Sequence, residues 1–425
     1  MTSQVDTRTA PGATSRLRRQ LPALERLDSP VTTYYVLLGA TLLLLVIGLV
    51  MVLSASSVTS LTKSGSSFTV FRSQLVFAAV GVPLMLIASR IPVRAWKAIG
   101  WVALIAALLA QALVFSPLGV SVNGNRNWIG IGGMRLQPSE AMKLALVLWG
   151  AAVLARKRLL LDRWVHVAVP VMFPVGFIAI GLVLAGHDLG TALVLLMILA
   201  ALLFAAGAPG RVFLTAGGVM AGLVGVMVVT SENRMRRIAS WLGGTCDDRL
   251  GTCYQSIHGK YALADGGWWG VGLGASREKW SWLPEAHNDF IFAIIGEELG
   301  LPGALVVLAL FLLMGWACLR LATRSDDLFV RIASAAAMAW LLGQTLINVG
   351  AVIGMLPVIG VPLPLVSSGG SALVTSLVLL GMLMSFARAE PGAAEALTAR
   401  TGLLRRSLAV LPGRHADERR RGGRS

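Results

Sequence analysis

The fold is decided by the stretch YYVLLGATLLLLVIGLVMVLS, residues 34–54, which contains no charged side chain. A helix of this length can cross the hydrocarbon core of a bilayer with every backbone amide bonded internally. The whole chain has the same character, since 56% of its 425 residues are hydrophobic and only 14% are charged, and its mean hydropathy is +0.73. This composition indicates a membrane protein rather than a soluble domain.

Nine further apolar runs follow, so we predict an all-α polytopic membrane protein with about ten transmembrane helices. The eighth run is too long for one straight span, and Gly300 and Pro302 predict a kink within it. Pro170 and Pro174 predict a bend in the fifth. The predicted spans lie near residues 34–54, 74–89, 97–116, 138–155, 165–185, 188–206, 212–230, 289–319, 331–353 and 369–387.

The distribution of Lys and Arg predicts the orientation of the chain. These residues fall mostly on one side of the membrane when the spans alternate and the amino terminus is cytoplasmic, as the positive-inside rule requires. Both termini are therefore predicted to be cytoplasmic. Basic tails, residues 1–33 and 391–425, flank a membrane domain, residues 34–390, and the second tail is expected to be disordered or to contact anionic lipids. One large extracytoplasmic loop covers about residues 231–288.

Several binding classes find little support in the sequence. Long apolar runs separate the basic residues despite a formal charge of +16, which argues against nucleic-acid binding. The five histidines lack zinc-ligand spacing, and the glycines form no nucleotide-binding fingerprint. We expect no firm cofactor, while a divalent cation, Mg or Mn, between carboxylates and a pyrophosphate stays open. Cys246 and Cys253 share the large loop, and we predict that they form a disulfide.

The segment NGNRNWIGIGGMRLQPSEAMKLAL, residues 123–146, places Arg126 in a glycine-rich turn ahead of a helix. On that helix Glu140 and Lys143 are three residues apart and face the same side. One interpretation is an ion pair at a helix end, with the lysine reaching outward to the membrane surface. The other is a site for an anionic headgroup, because a lysine one turn inside a span needs a partner or a wet cavity.

Two shorter motifs lie at other helix starts. HDLGTALVLL, residues 187–196, puts Asp188 at the amino end of a span, where it can cap the helix or orient a neighbouring cation. GVPLPLVSSGGSALVTS, residues 360–376, puts Ser367 and Ser368 at the mouth of the last span. Those hydroxyls and the helix amides can hold an anion, or the segment can be a rigid turn that re-enters the membrane.

The most informative stretch is YQSIHGKYALADGGWWGVGLGASREKWSWLPEAHNDFIFAIIGEELG, residues 254–300. It places Asp289 at the start of a span, where the carboxylate could be a helix cap or part of an acid-base site. Asn288 could supply the cap instead. On an ideal helix Glu297 lies about 80° from Asp289 and Glu298 about 180°, so only Glu297 is expected to share a pocket with it.

In this order, among ten spans, these blocks resemble the signature blocks of the SEDS family of lipid-linked peptidoglycan glycosyltransferases, over roughly residues 34–390. LPEAHNDFIFAIIGEELG and PLPLVSSGG carry most of the resemblance. It implies polymerisation of lipid II into glycan strands on the outer face of the cytoplasmic membrane. WWGVGLGASREKW and the two loop cysteines favour the division branch of the family, of an actinobacterial type, over its elongation branch.

The resemblance also implies roles for individual residues. Asp289 is expected to be the catalytic carboxylate, a general base for the 4-hydroxyl that attacks the anomeric carbon of a pyrophosphate-linked chain. Candidates to hold the pyrophosphate are Arg126, Lys143 and Lys260. The other expected substrate-site residues are Glu285, His287, Glu297, Asp188, Ser367 and Ser368.

Partners follow from the same resemblance. A single-span class B penicillin-binding transpeptidase and other divisome proteins are expected at the division septum, together with lipid II and membrane lipids. Two other classes of function compete with the glycosyltransferase. A lipid II flippase should carry charged partners through the depth of the bilayer, whereas here they cluster at one face. A scaffold for division proteins would leave Asp289 as a helix cap only.

Overall fold

The computed structural model describes most of the membrane domain. The described ranges are residues 31–122, 125–131, 134–160, 171–229 and 253–390, with single positions 29, 166, 169, 235, 392 and 393. The two predicted tails therefore lie almost entirely outside the described residues, as does the first part of the predicted loop 231–288.

Long helices dominate these residues. They are α1 (Thr32–Ser64), α2 (Thr69–Ala88), α3 (Val93–Leu113), α4 (Pro138–Arg156), α5 (Phe177–Ala185), α6 (Leu189–Ala205), α7 (Gly210–Val229), α8 (Tyr254–Gly266), α9 (Ile291–Arg324), α10 (Leu328–Val352) and α11 (Gly370–Arg388). A 3₁₀ turn, Arg158–Leu160, follows α4, and a π-helical segment, Val171–Gly176, precedes α5.

Ten of these helices overlap the ten predicted spans, although α1 extends ten residues beyond the predicted end of its span, and α8 lies in the predicted large loop. In the described part of the chain, seven helices are long and apolar enough to cross a membrane, and Val171–Ala185 and Leu189–Ala205 are shorter apolar helices. Large apolar side chains such as Leu43, Val102 and Leu312 are exposed, as expected where lipid is the solvent. The protein is therefore a multi-pass membrane protein of the predicted all-α class.

Both predicted distortions are present. Gly300 leaves the helical conformation (φ 66°, ψ −165°) just before Pro302, so α9 is two helices joined at a kink. Residues 301–324 extend about 36 Å at 1.5 Å per residue, enough to cross about 30 Å of hydrocarbon. Residues 291–299 form a short separate helix ahead of that span. In the fifth span, Phe173 is non-helical next to Pro174, while Pro170 lies outside the described residues.

Helix α4 is at the centre of the bundle. It packs against α3, α6, α10 and α11, and nearly every side chain from Pro138 to Leu154 is buried. A helix that is apolar on all sides is expected in such a position. The outer helices α2 and α3 bury only a narrow stripe, rich in small residues. Polar side chains on α4 and α10 are therefore enclosed by protein and shielded from lipid.

A small sheet departs from the sequence prediction, which treated this region as a glycine-rich turn. Strands β1 (Gly119–Val122), β2 (Asn125–Ile131) and β3 (Met134–Leu136) are antiparallel in the order β1-β2-β3. Asn127 and Ile129 are buried whereas Arg126 is exposed, which is the alternation of a strand. The prediction was wrong here because the strands are short and the glycines interrupt their pattern.

Candidate functional site

Asp289 lies in a tight turn immediately before α9. The backbone N–H groups of Asn288 and Phe290 both donate to the carbonyl oxygen of Glu285, at 2.9 and 3.3 Å, and Glu285 has a φ of +56°. Phe290 occupies the N-cap position of α9, and its own side chain makes no cap hydrogen bond. Asp289 therefore lies directly before the N-cap residue, at the amino end of the helix.

The segment before α11 binds this turn. Ser367 Oγ donates to the carbonyl of Asn288 at 2.6 Å, and the backbone N–H of Ser368 donates to the carbonyl of His287 at 2.9 Å. Gln74 on α2 holds the same segment, because its Nε2 donates to the Ser367 carbonyl at 3.2 Å. The two most informative sequence blocks are thus brought together, and these two serine groups bind backbone in the structure.

A small pocket, called the cleft below, is lined by Asp289 and lies between α10 and residues 358–361. Asn348 on α10 fixes its floor, since Nδ2 donates to the carbonyls of Asp289 and Val361, both at 2.8 Å. A β-carbon added at Gly360 would lie 3.5 Å from Asp289 Oδ2, and Gly360 has a φ of +78°. The carboxylate therefore faces Gly360 in the cleft wall, where no side chain projects toward it. Asp289 itself is only partly buried.

Asp188 belongs to the opposite side of this wall. Its side chain accepts from Thr191 N at 2.9 Å and Thr191 Oγ1 at 2.7 Å, which is a helix cap on α6. Gln137 Nε2 donates to the same carboxylate at 2.9 Å. Gly190 lies so near that a β-carbon there would be 2.8 Å from the Val361 side chain. Capping thus accounts for the contacts of Asp188 with Thr191, and Gln137 adds a further bond. Helix α6 packs against the wall of the cleft through Gly190.

The predicted basic residues occupy three different surroundings. Lys260 is exposed on α8, and its Nζ would lie 2.7 Å from a β-carbon added at Gly354, in the loop that continues into the cleft wall. Arg126 lies on β2, where Nη2 donates to the Ser116 carbonyl at 2.8 Å. Of these two, Lys260 is the one that lies against the loop that lines the cleft.

Lys143 is enclosed by the bundle. Its Nζ is 2.8 Å from Glu140 Oε2, and the two side chains are 2% and 3% exposed. The same Nζ donates to Gln344 Oε1 at 3.2 Å and lies 4.9 Å from the centre of the Trp340 ring. The pair expected from the three-residue spacing is formed, but the lysine does not reach outward to the membrane surface.

Glu297 and Glu298 hold a neighbouring loop instead of lining the cleft. Glu297 Oε2 accepts from Ser276 Oγ at 2.6 Å. Glu298 Oε1 accepts from Ser54 Oγ at 2.6 Å and pairs with Lys279 Nζ at 3.2 Å, with both partners almost fully buried. Helical spacing favoured a pocket shared by Glu297 and Asp289, but the structure does not bring them together there.

Burial sets the ionisation of two groups outside the membrane spans. Burial lowers the pKa of His287, and the positive charge of Lys63 lowers it further. The negative charge of Glu285 raises this pKa but does not cancel the effect of burial. His287 is therefore expected to be neutral near pH 7 and to act as a hydrogen-bonding group rather than a cation. Burial likewise raises the pKa of Glu278, although its contact with His258 at 2.7 Å opposes the shift.

The described residues contain no group of three His, Cys, Asp or Glu side chains that could hold a metal ion. The cleft itself contributes the carboxylate of Asp289. A divalent cation there would need most of its ligands from a phosphorylated substrate and water, which is how Mg²⁺ is often bound.

Two of the three cysteines lie within the described residues. Cys253 is disulfide-bonded, and Cys318 is free and buried. Cys246 lies outside the described residues. Its pairing with Cys253 stays a prediction.

Several residues around the site were missed by the sequence reasoning: Gln74, Gln344 and Asn348. Gln344 and Asn348 are four residues apart in an otherwise apolar span, and this spacing puts them on one face of the helix. Polar side chains at that depth signal a partner inside the bundle. Gln74 gave no comparable signal, because its partner Ser367 is distant in the sequence.

These observations define the class of protein. It is a multi-pass membrane protein in which Asp289 lines a cleft, and polar side chains bind the backbone of its turn and of the neighbouring segment. Residues 35–391 match the family model described as "Cell cycle protein", named for FtsW, RodA and SpoVE. The chain belongs to this family, which is the SEDS family that its sequence blocks resemble.

Individual relatives agree with this assignment. The chain is 40% identical over 374 residues to "Probable peptidoglycan glycosyltransferase FtsW" of Mycobacterium tuberculosis, covering 88% of this chain and 71% of that protein. It is 37% identical over 350 residues to "Stage V sporulation protein E" of Bacillus subtilis, covering 82% and 95%. A solved chain described as "Structural coordination of polymerization and crosslinking by a peptidoglycan synthase complex" matches with a TM-score of 0.67 and 26% identity, covering 84% and 98%.

Proposed function

We propose that this chain is a peptidoglycan glycosyltransferase that polymerises lipid II into glycan strands during cell division. The observation that carries the proposal is the junction of two signature blocks around Asp289, where Ser367 and Asn348 hold the turn and leave a cleft beside its carboxylate. The name of the mycobacterial relative, at 40% identity, supports the same activity.

In this mechanism Asp289 accepts the proton of the attacking 4-hydroxyl. A new bond forms between that oxygen and the anomeric carbon of the second chain, and the bond to its pyrophosphate breaks. The leaving group keeps the electron pair and is already anionic, so it needs positive charge rather than a proton. Lys260 is the candidate for this charge, because it is exposed against the loop that continues into the cleft wall.

A divalent cation could share this task. Asp289 would be its protein ligand, and the pyrophosphate would supply negative oxygens. Chain extension by the parent protein in the presence and absence of a chelator would decide the requirement.

The cleft is proposed to face the outside of the cytoplasmic membrane, with both termini in the cytoplasm. The positive-inside distribution of Lys and Arg supports this orientation. The partner is proposed to be a single-span class B penicillin-binding transpeptidase at the division septum. The similarity to a chain solved in a complex that coordinates polymerization and crosslinking supports a partner of this kind.

The test is polymerisation by the purified chain in detergent with labelled lipid II, resolved by length on a gel. A ladder of glycan products supports the proposal, and reactions without protein set the background. Detergent removes the two sides of the membrane, so a flippase would give no product in this assay. Translocation of lipid II in vesicles together with an absence of glycan in detergent would refute the proposal in favour of transport.

A further inference from the structure

One face of α10 carries a row of buried polar side chains that leads to the proposed site. Trp340, Gln344 and Asn348 are spaced by four residues, so they follow one another along the helix. All three are at most 2% exposed. Trp340 Nε1 donates to Gln344 Oε1 at 2.9 Å, which links the first two members.

Gln344 and Asn348, the two members of this row nearest the cleft, bind the chain segment that forms the cleft wall. Gln344 Nε2 donates to the carbonyl of Pro362 at 2.7 Å. One turn further along, Asn348 binds the carbonyls of Val361 and Asp289. Two adjacent carbonyls of the wall and the backbone of the proposed base are therefore fixed by amides of one helix.

Lys143, on α4, contacts two members of this row, Gln344 and Trp340. Its ammonium group is enclosed between Glu140, Gln344 and Trp340. Gln344 Oε1 thus accepts from two donors, Lys143 and Trp340. Because both donors bind the oxygen, the side-chain amide of Gln344 is held in one orientation, with its NH₂ group directed toward the carbonyl of Pro362.

We propose that Lys143 is a positioning residue that acts through Gln344 on the cleft wall, and that it does not bind the lipid pyrophosphate. This inference rests on the proposed function, because it assigns a role in the same site. Binding an anion would require the ammonium to leave a buried ion pair, and Glu140 would then be a buried charge without its partner. That arrangement is costly, so a ligand is expected to use exposed cations instead.

The kinetic test separates positioning from binding. Gln344→Leu removes the bond to Pro362, and Lys143→Met with Glu140→Leu removes the ion pair without leaving a lone charge. We expect each variant to lower kcat by about ten- to a hundredfold, since small misplacements of reacting groups are this costly, with KM for lipid II within about twofold.

The combined variant is the decisive measurement. If Lys143 acts through Gln344, a variant with Glu140, Lys143 and Gln344 all changed should lose no more kcat than the worse of the two separate variants. Losses that multiply, or a raised KM in the Lys143→Met/Glu140→Leu variant alone, would refute the inference. Lys97→Met is the control, because it also removes a lysine that is paired with a carboxylate, Asp327, at 2.6 Å. Asp327 is at the amino end of α10, and the cleft is at the other end of that helix.

A second measurement needs no activity. Leu363 N–H donates to Ser367 Oγ at 2.8 Å and reports on the wall by amide hydrogen exchange in the full-length protein. We expect both variants to speed its exchange by about fivefold or more, as for the loss of one hydrogen bond. Unchanged exchange refutes the positioning role even in an active enzyme. Faster exchange in a chain that makes no glycan supports positioning while the proposed activity fails.

Discussion

Replacing Asp289 with asparagine separates catalysis from structure at the proposed base. The asparagine side chain has nearly the same shape but cannot take up the hydroxyl proton. The bond from Asn348 reaches the backbone carbonyl at position 289, so it survives the change. Asparagine caps a helix about as well as aspartate, so a bond from this side chain to the helix-end amides would be kept. We therefore expect stability within about 0.5 kcal/mol of the parent.

Activity should respond very differently. A general base contributes about 10²–10⁴-fold, so Asp289→Asn should reduce glycan polymerisation in detergent to that extent. Asp265→Asn is the matched control, because it makes the same change at an exposed position on α8. Thermal melting and size-exclusion profiles of both variants should match the parent. Glycan output from Asp289→Asn near the parent level would refute the role of base and leave the carboxylate as a structural group.

Three further outcomes are expected. Gly360→Ala should lower polymerisation by about tenfold or more, because it strains a left-handed residue and narrows the cleft; activity equal to the parent would contradict this. Lys279→Met should destabilise the protein by about 3–5 kcal/mol, measured as a lower melting temperature, because it leaves the charge of Glu298 buried without its cation; an unchanged melting temperature would disprove it. Non-reducing peptide mapping should recover Cys246 linked to Cys253, and alkylation of both in native protein would exclude the bond.

The fold was largely predictable because the bilayer constrains it so strongly. Each apolar run had to be a helix, and the kinks in α9 and before α5 followed from Gly300 and Pro174. The small sheet before α4 escaped prediction. Its strands lie outside the bundle, where water can satisfy the backbone and short alternations carry little signal.

The site was predictable in its sequence blocks but not in its contacts. Asp289, predicted to be the catalytic carboxylate, lines the cleft, and its role stays a prediction. Glu297 was expected to share a pocket with it because of its angle on a continuous helix, but its carboxylate binds Ser276. The loop of residues 276–279 folds over that helix and takes up its carboxylate. The depth of Lys143 in its span demanded a partner, and an anionic headgroup was one candidate. One partner, Glu140, lies on the same helix and was expected from the spacing. The other two, Gln344 and Trp340, lie on α10, where single-sequence reasoning has no means to find them.

The surroundings of Asp289 show how a turn can be held rigidly at the end of a membrane bundle. Helices in lipid gain little from apolar burial against each other, so close packing and polar bonds must fix their relative positions. Here such bonds come from α2 through Gln74, from α10 through Asn348, and from the segment before α11 through Ser367. All three bind backbone atoms of the turn or of the segment that holds it. The proposed base can therefore change its protonation while its backbone stays anchored to the spanning helices.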